Sequence, residues 1–130
     1  MIGPEECKEP KEAILKVVRI YTGLDGRSHF EDVVLPLEQG GESEATPLHA
    51  AREVRFNSYP PGYSLEWHCA PQRQYVVNLE GQAEIEVGDG TRRQFSAGDV
   101  LLAEDLTGQG HITRVVGSQT RITMWVALTE

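Results

Sequence analysis

The sequence is short of three things: long apolar runs, basic clusters and cysteine. No stretch of eighteen apolar residues occurs. A membrane-spanning helix needs roughly 20 such residues, so no segment is expected to cross a bilayer. Lysine and arginine number 12 against 20 acids, for a net charge of −8. That charge repels phosphate backbones and no basic patch interrupts it, which excludes nucleic acid as an expected partner. The two cysteines, Cys7 and Cys69, lie far apart, and Met1 to Glu12 has neither the basic head nor the apolar core of a secretion signal. A cytoplasmic protein without a disulfide is the expectation.

Several catalytic signatures are missing as well. No nucleophile elbow, no phosphate-binding glycine loop ahead of a helix and no Cys-x-x-Cys pair is present, and Ser64 and Ser96 have no triad setting. There is no internal repeat and no low-complexity tract.

Dense punctuation by glycine is what the chain does have. Gly23 to Gly26, Gly40-Gly41, Pro60-Pro61-Gly62, Gly81, Gly88-Asp89-Gly90, Ala97-Gly98-Asp99, Gly108, Gly110 and Gly117 separate short stretches rich in β-branched and aromatic residues. Those stretches are Ile14 to Tyr21, Phe30 to Leu37, Glu53 to Tyr59, Gln74 to Leu79, Ala83 to Val87, Ile112 to Val116 and Arg121 to Leu128. Short strands at regular spacing predict an all-β sandwich or barrel. Asp25-Gly26 suits a tight primed turn, which makes the first two stretches a hairpin. Residues 38–46 read as a polar loop, Gly88 to Gly90 as a hairpin turn, and Glu5 to Lys16 as at most a helical turn or two between Pro4 and Pro10. At 130 residues one domain is expected. It divides into an N-terminal extension and hairpin over residues 1–46 and a barrel over 47–130, with the hairpin packing on the barrel or on a partner subunit.

Alternation sharpens the picture. Gln74, Val76 and Asn78 share one face of their strand, while Tyr75, Val77 and Leu79 share the other. The mixed face is expected to look into a pocket. The apolar face is expected to be covered, either by a second subunit in a homodimer or by the N-terminal hairpin.

Of the four histidines, His29 follows a turn and His49 sits beside Pro47, both in ordinary surface or structural settings. His68 and His111 stand in more informative surroundings. The first lies in Gly62, five residues, His68, one residue, Ala70, three residues, Gln74, six residues, Gly81. The second closes a segment opened by Gly98, with Glu104 inside it and Val115 beyond it. At these residues the sequence resembles the cupin family. The family's first motif has this spacing, with histidine where Ala70 stands and glutamate where Gln74 stands. Its second motif usually has proline at Glu104 and asparagine at Val115.

The resemblance spans residues 62–115 and implies a double-stranded β-helix, the jelly-roll cupin barrel, with an N-terminal segment that can exchange with a partner subunit. It also implies a divalent metal (Fe, Mn, Ni, Cu or Zn) at the positions of His68, Gln74 and His111. Ala70 removes one nitrogen and Gln74 replaces a charged oxygen by a neutral amide, so the implied site loses charge compensation. Glu66, two residues before His68, is expected on the same strand face as a substitute ligand or base. Glu104 and Asp105 are further carboxylate candidates, while Cys69 is expected to face away from His68 as a buried thiol.

Two functional readings stay open beside a purely structural role as a dimeric accessory subunit. One is a cupin enzyme of oxygenase or isomerase type acting on a small organic molecule, with His68, His111 and Glu66 as catalytic groups. The other is a metal-free, non-catalytic ligand-binding barrel.

Overall fold

The computed structural model describes residues 15–129, and every regular element among them is a β-strand. β1 (Leu15–Thr22) and β2 (Ser28–Leu35) form the expected hairpin, paired from Leu15↔Leu35 to Thr22↔Ser28. The turn differs from a two-residue primed turn. Gly23 N–H donates to Arg27 O at 2.8 Å and Gly26 N–H to Gly23 O at 3.1 Å, which leaves a three-residue tip in which Gly26 takes φ 77°. A type I turn closed by a left-handed glycine matches the twist of a hairpin equally well. Gly88 to Gly90 repeats this geometry, with Val87 N–H on Thr91 O at 3.0 Å. In both tips an aspartate, Asp25 or Asp89, accepts from the backbone N–H two residues on.

Residues 38–46, expected as loop, hold a small exposed ladder of β3 (Glu38–Gly40) and β4 (Ser43–Ala45). Gly41, with φ 77°, stands first in its two-residue turn, where glycine supplies the required positive φ. The helical turn expected within Glu5 to Lys16 lies outside the described residues, apart from Leu15 and Lys16, which begin β1.

Two larger sheets face each other in a jelly-roll sandwich. The first has the order β2-β1-β10-β7-β12-β5, and the second β6-β11-β8-β9. β5 is Ala51–Tyr59, β6 Ser64–His68, β7 Gln74–Glu80, β8 Gln82–Glu86, β9 Arg92–Phe95, β10 Val100–Glu104, β11 His111–Val116 and β12 Arg121–Leu128. β10 carries no alternation in sequence because both of its faces are covered: Leu101 and Ala103 join the inner core, and Leu102 joins an outer cluster. The core between the sheets is built on Ile20, Val76, Leu101, Ile85, Val87 and Phe95.

The N-terminal hairpin extends the six-stranded sheet instead of lying across it, since β1 pairs in parallel with β10 from Val18↔Leu101 to Tyr21↔Glu104. On β7 the expected division of faces holds at its first five residues. Gln74, Val76 and Asn78 are buried, and Tyr75 and Val77 look outward. Tyr75 packs with Val17, Leu102 and Leu128, and its hydroxyl meets His49 Nδ1 at 2.8 Å. The same outer face ends in the exposed side chains of Val54 and Phe56 on β5. Among the described residues no helix is long and apolar enough to cross a membrane.

Candidate functional site

A cavity of about 290 Å³ opens between the sheets at the end of the core. Its lining includes Val76, Ile85, Leu101 and Trp125, and it includes His68, His111 and Gln74. Three positions 43 residues apart in sequence at the extremes are thus brought to one space, His68 and His111 as direct neighbours in the β6–β11 ladder. Their ring centroids are 4.3 Å apart.

The two imidazoles are fixed through the same nitrogen. His68 Nδ1 lies 2.7 Å from Glu66 O, and a carbonyl can only accept, so Nδ1 carries the proton. His111 Nδ1 donates to Asp105 Oδ2 at 2.6 Å. Nε2 therefore remains the free nitrogen of each ring, a base or ligand in the neutral state. Burial pushes the His68 imidazole below its ordinary value. The Glu66 hydrogen bond opposes this, and the His111 ring beside it adds to the depression.

Asp105 is the buried anchor of the pair. It is fully enclosed, and the same Oδ2 accepts the Ser28 hydroxyl at 2.6 Å. Ser28 opens β2, so the N-terminal hairpin holds the carboxylate that holds His111. From the sequence Asp105 is a candidate metal ligand, and nothing there marks Ser28. The structure gives Asp105 an orienting role, and the signal for it, a carboxylate six residues before a histidine across a glycine-rich loop, is not distinctive.

Glu66 is not brought to the cavity. β6 pairs Leu65 with Thr113 and His68 with His111, so it has one residue more than its partner over this interval, a β-bulge. The extra residue breaks simple alternation, placing Leu65 and His68 toward the lumen while Glu66 stays exposed and accepts from the Ser64 hydroxyl. The expectation that Glu66 shares the face of His68 therefore fails. Glu104 is also elsewhere: on the outer face it binds Arg19 and Arg73. Burial works against its ionisation, but hydrogen bonds from those two arginines outweigh it and hold its carboxyl below the usual carboxylate range. Cys69, expected to face away, lines the cavity in a half-buried position, because β6 ends at His68 and alternation ends with it. Its thiol donates to Gly108 O, and burial pushes it up. Its possible disulfide partner Cys7 lies outside the described residues. His29 pairs with Asp25 at 3.0 Å and His49 with Tyr75, neither of them at the cavity.

The donor set fits a divalent cation poorly. Gln74 Oε1 already accepts from Gln72 Nε2 at 2.7 Å, and among the described residues no carboxylate lines the cavity. Among the described residues no group of three His, Cys, Asp or Glu side chains is placed to share a metal ion. Two imidazoles and an amide bring no negative charge of their own to a dication, and the Asp105 carboxylate meets the site only through His111. The lining also includes Arg121, which no motif in the sequence marks, and its positive charge acts against a second cation.

No protein-family model matches this sequence, and no curated protein matches it. Solved structures do match. The cupin domain of Cnp3 from Schizosaccharomyces pombe aligns with a TM-score of 0.51 at 10% identity, over 92% of this chain and 86% of that one. A Cupin 2 conserved barrel domain protein from Salinispora arenicola gives 0.46 at 22% identity, over 69% of this chain and 71% of that one. A conserved protein of unknown function from Streptococcus pyogenes gives 0.46 at 16% identity, over 67% and 71%. With the strand order above, the likeness to the Cnp3 domain shows the fold: this chain has the architecture of a cupin barrel.

Proposed function

We propose that the protein is a metal-free cupin that binds a small organic molecule in the cavity between its sheets. The observation that carries this reading is the pair His68 and His111, each held through Nδ1 and lining an otherwise largely apolar cavity in which no carboxylate is found among the described residues. Apolar walls with a few placed polar groups are the usual make-up of a small-molecule site. The unprotonated Nε2 atoms accept hydrogen bonds from a ligand's hydroxyl or amide groups.

A second reading, proton abstraction from the bound molecule, is favoured by one specific feature. Asp105 accepts the hydrogen bond from His111 Nδ1–H and so both orients the ring and stabilises the cation formed when Nε2 takes a proton.

Long-range ¹H–¹⁵N NMR tests the arrangement common to both readings. The expected result is the Nδ1-protonated tautomer for His68 and for His111 at pH 8. Nε2-protonated signals from either ring would remove the acceptor on which the proposal rests.

A further inference from the structure

The charge at Arg121 identifies the class of ligand. Arg121 opens β12, where it pairs with Tyr59 in the ladder, and it lines the same cavity as His68 and His111. It is 6% exposed, so it sits in a setting that strongly penalises a lone charge. Its Nε donates to Asn78 Oδ1 at 2.7 Å. Asn78 is buried too, and its amide is held in turn by donating to Gly81 O at 2.8 Å. The guanidinium is thus steered by a neutral partner, with the Tyr59 ring 5.7 Å from it. Six other arginines of the described residues have a carboxylate within ion-pair distance, among them Arg19, Arg73 and Arg114; for Arg121 no such carboxylate is found among the described residues. Of the arginines without such a partner among the described residues, Arg27 and Arg55 are exposed and Arg121 alone is buried.

We propose that the cavity ligand is an organic anion, a small carboxylate whose charged end is bound by Arg121 and whose apolar body lies against Val76, Ile85, Leu101 and Trp125. The inference rests on the reading of the cavity as a ligand site and adds the charge of what fills it. A guanidinium retains two terminal NH₂ groups once Nε is engaged, and its planar fork matches the two oxygens of a carboxylate. No carboxylate is found in the lining among the described residues, so nothing described there repels an anion.

The test compares charged and neutral probes of one shape: benzoate against benzamide, and hexanoate against hexanamide. NMR titration followed at the Trp125 indole N–H gives their dissociation constants for the wild type and for Arg121→Gln. In the wild type each carboxylate is expected to bind about tenfold or more tightly than its amide, the size of one charge-assisted hydrogen-bonded contact. In Arg121→Gln that preference is expected to fall to about twofold or less while amide binding stays unchanged. Arg121→Lys, which keeps the charge and loses the fork, is expected to lie between.

Equal binding of amide and carboxylate to the wild type would overturn the anion assignment and leave the cavity reading standing. No binding of any of the four probes at millimolar concentration would overturn both. A carboxylate preference that survives Arg121→Gln would remove Arg121 as its source. The wild-type comparison decides the charge of the ligand even if the variants do not fold.

Discussion

Replacing Gly110 by alanine is expected to destabilise the protein by about 3 kcal/mol and to lower its melting temperature by on the order of 10 °C. Two costs combine at this position. Gly110 has φ 76°, a conformation that alanine adopts only with strain. A Cβ there would also overlap the backbone carbonyl of His68, which is part of a hydrogen-bonded strand and cannot swing aside as a side chain would. The glycine immediately precedes His111, so relief of the overlap moves the two histidines apart and disturbs the cavity with the fold. Thermal melts of Gly110→Ala and Gly90→Ala make the comparison. Gly90 also has positive φ, but a Cβ there meets nothing, so its loss is expected to be the smaller of the two. Equal losses would mean that close approach to His68 contributes nothing.

Asp105→Ala is the second large effect, a loss of about 3 kcal/mol. The carboxylate is fully enclosed, and its removal strands the Ser28 hydroxyl and the His111 Nδ1–H without an acceptor. The same variant is expected to release the tautomer of His111 while leaving that of His68 fixed, because the Glu66 carbonyl is untouched. Asp105→Asn can still offer one oxygen to both donors and is expected to restore the His111 tautomer and roughly half of the stability. Denaturant melts combined with the histidine ¹⁵N spectrum separate these effects. A fall in stability with the His111 tautomer unchanged in Asp105→Ala would show that Asp105 fills space and does not orient the ring.

Much of the fold was legible in the sequence, because its turns depend on glycine at identifiable positions. Gly26 and Gly90 closed the hairpins that their neighbours suggested, and Arg121 to Leu128 is a strand with the bounds read from its β-branched content. The hydrophobic pattern also gave the direction of β7, with Gln74 and Val76 lining the cavity and Tyr75 outside it. The spacing of the motif located His68 and His111 together. The bulge in β6 was not legible, since one added residue leaves no mark on composition yet turns Glu66 to the solvent. Nor was Arg121. An arginine at a strand start reads as a surface charge unless the ladder to Tyr59 and the burial around Asn78 are known, and both depend on pairings remote in sequence. Ser28 was missed for the same reason, lying 77 residues from the carboxylate it supports.

The central claim is that this lumen, with Ala70 and Gln74 at two positions where the cupin motif places metal ligands and Arg121 in its lining, is a site for an organic molecule and not for a metal. Metal analysis of tag-free protein tests it most directly, after incubation with iron(II), manganese, nickel, copper or zinc and removal of unbound ion. The account predicts less than about a tenth of an equivalent of each metal, with no difference between wild type and His68→Ala. Close to one equivalent of any of them, lost in His68→Ala or His111→Ala, would contradict it.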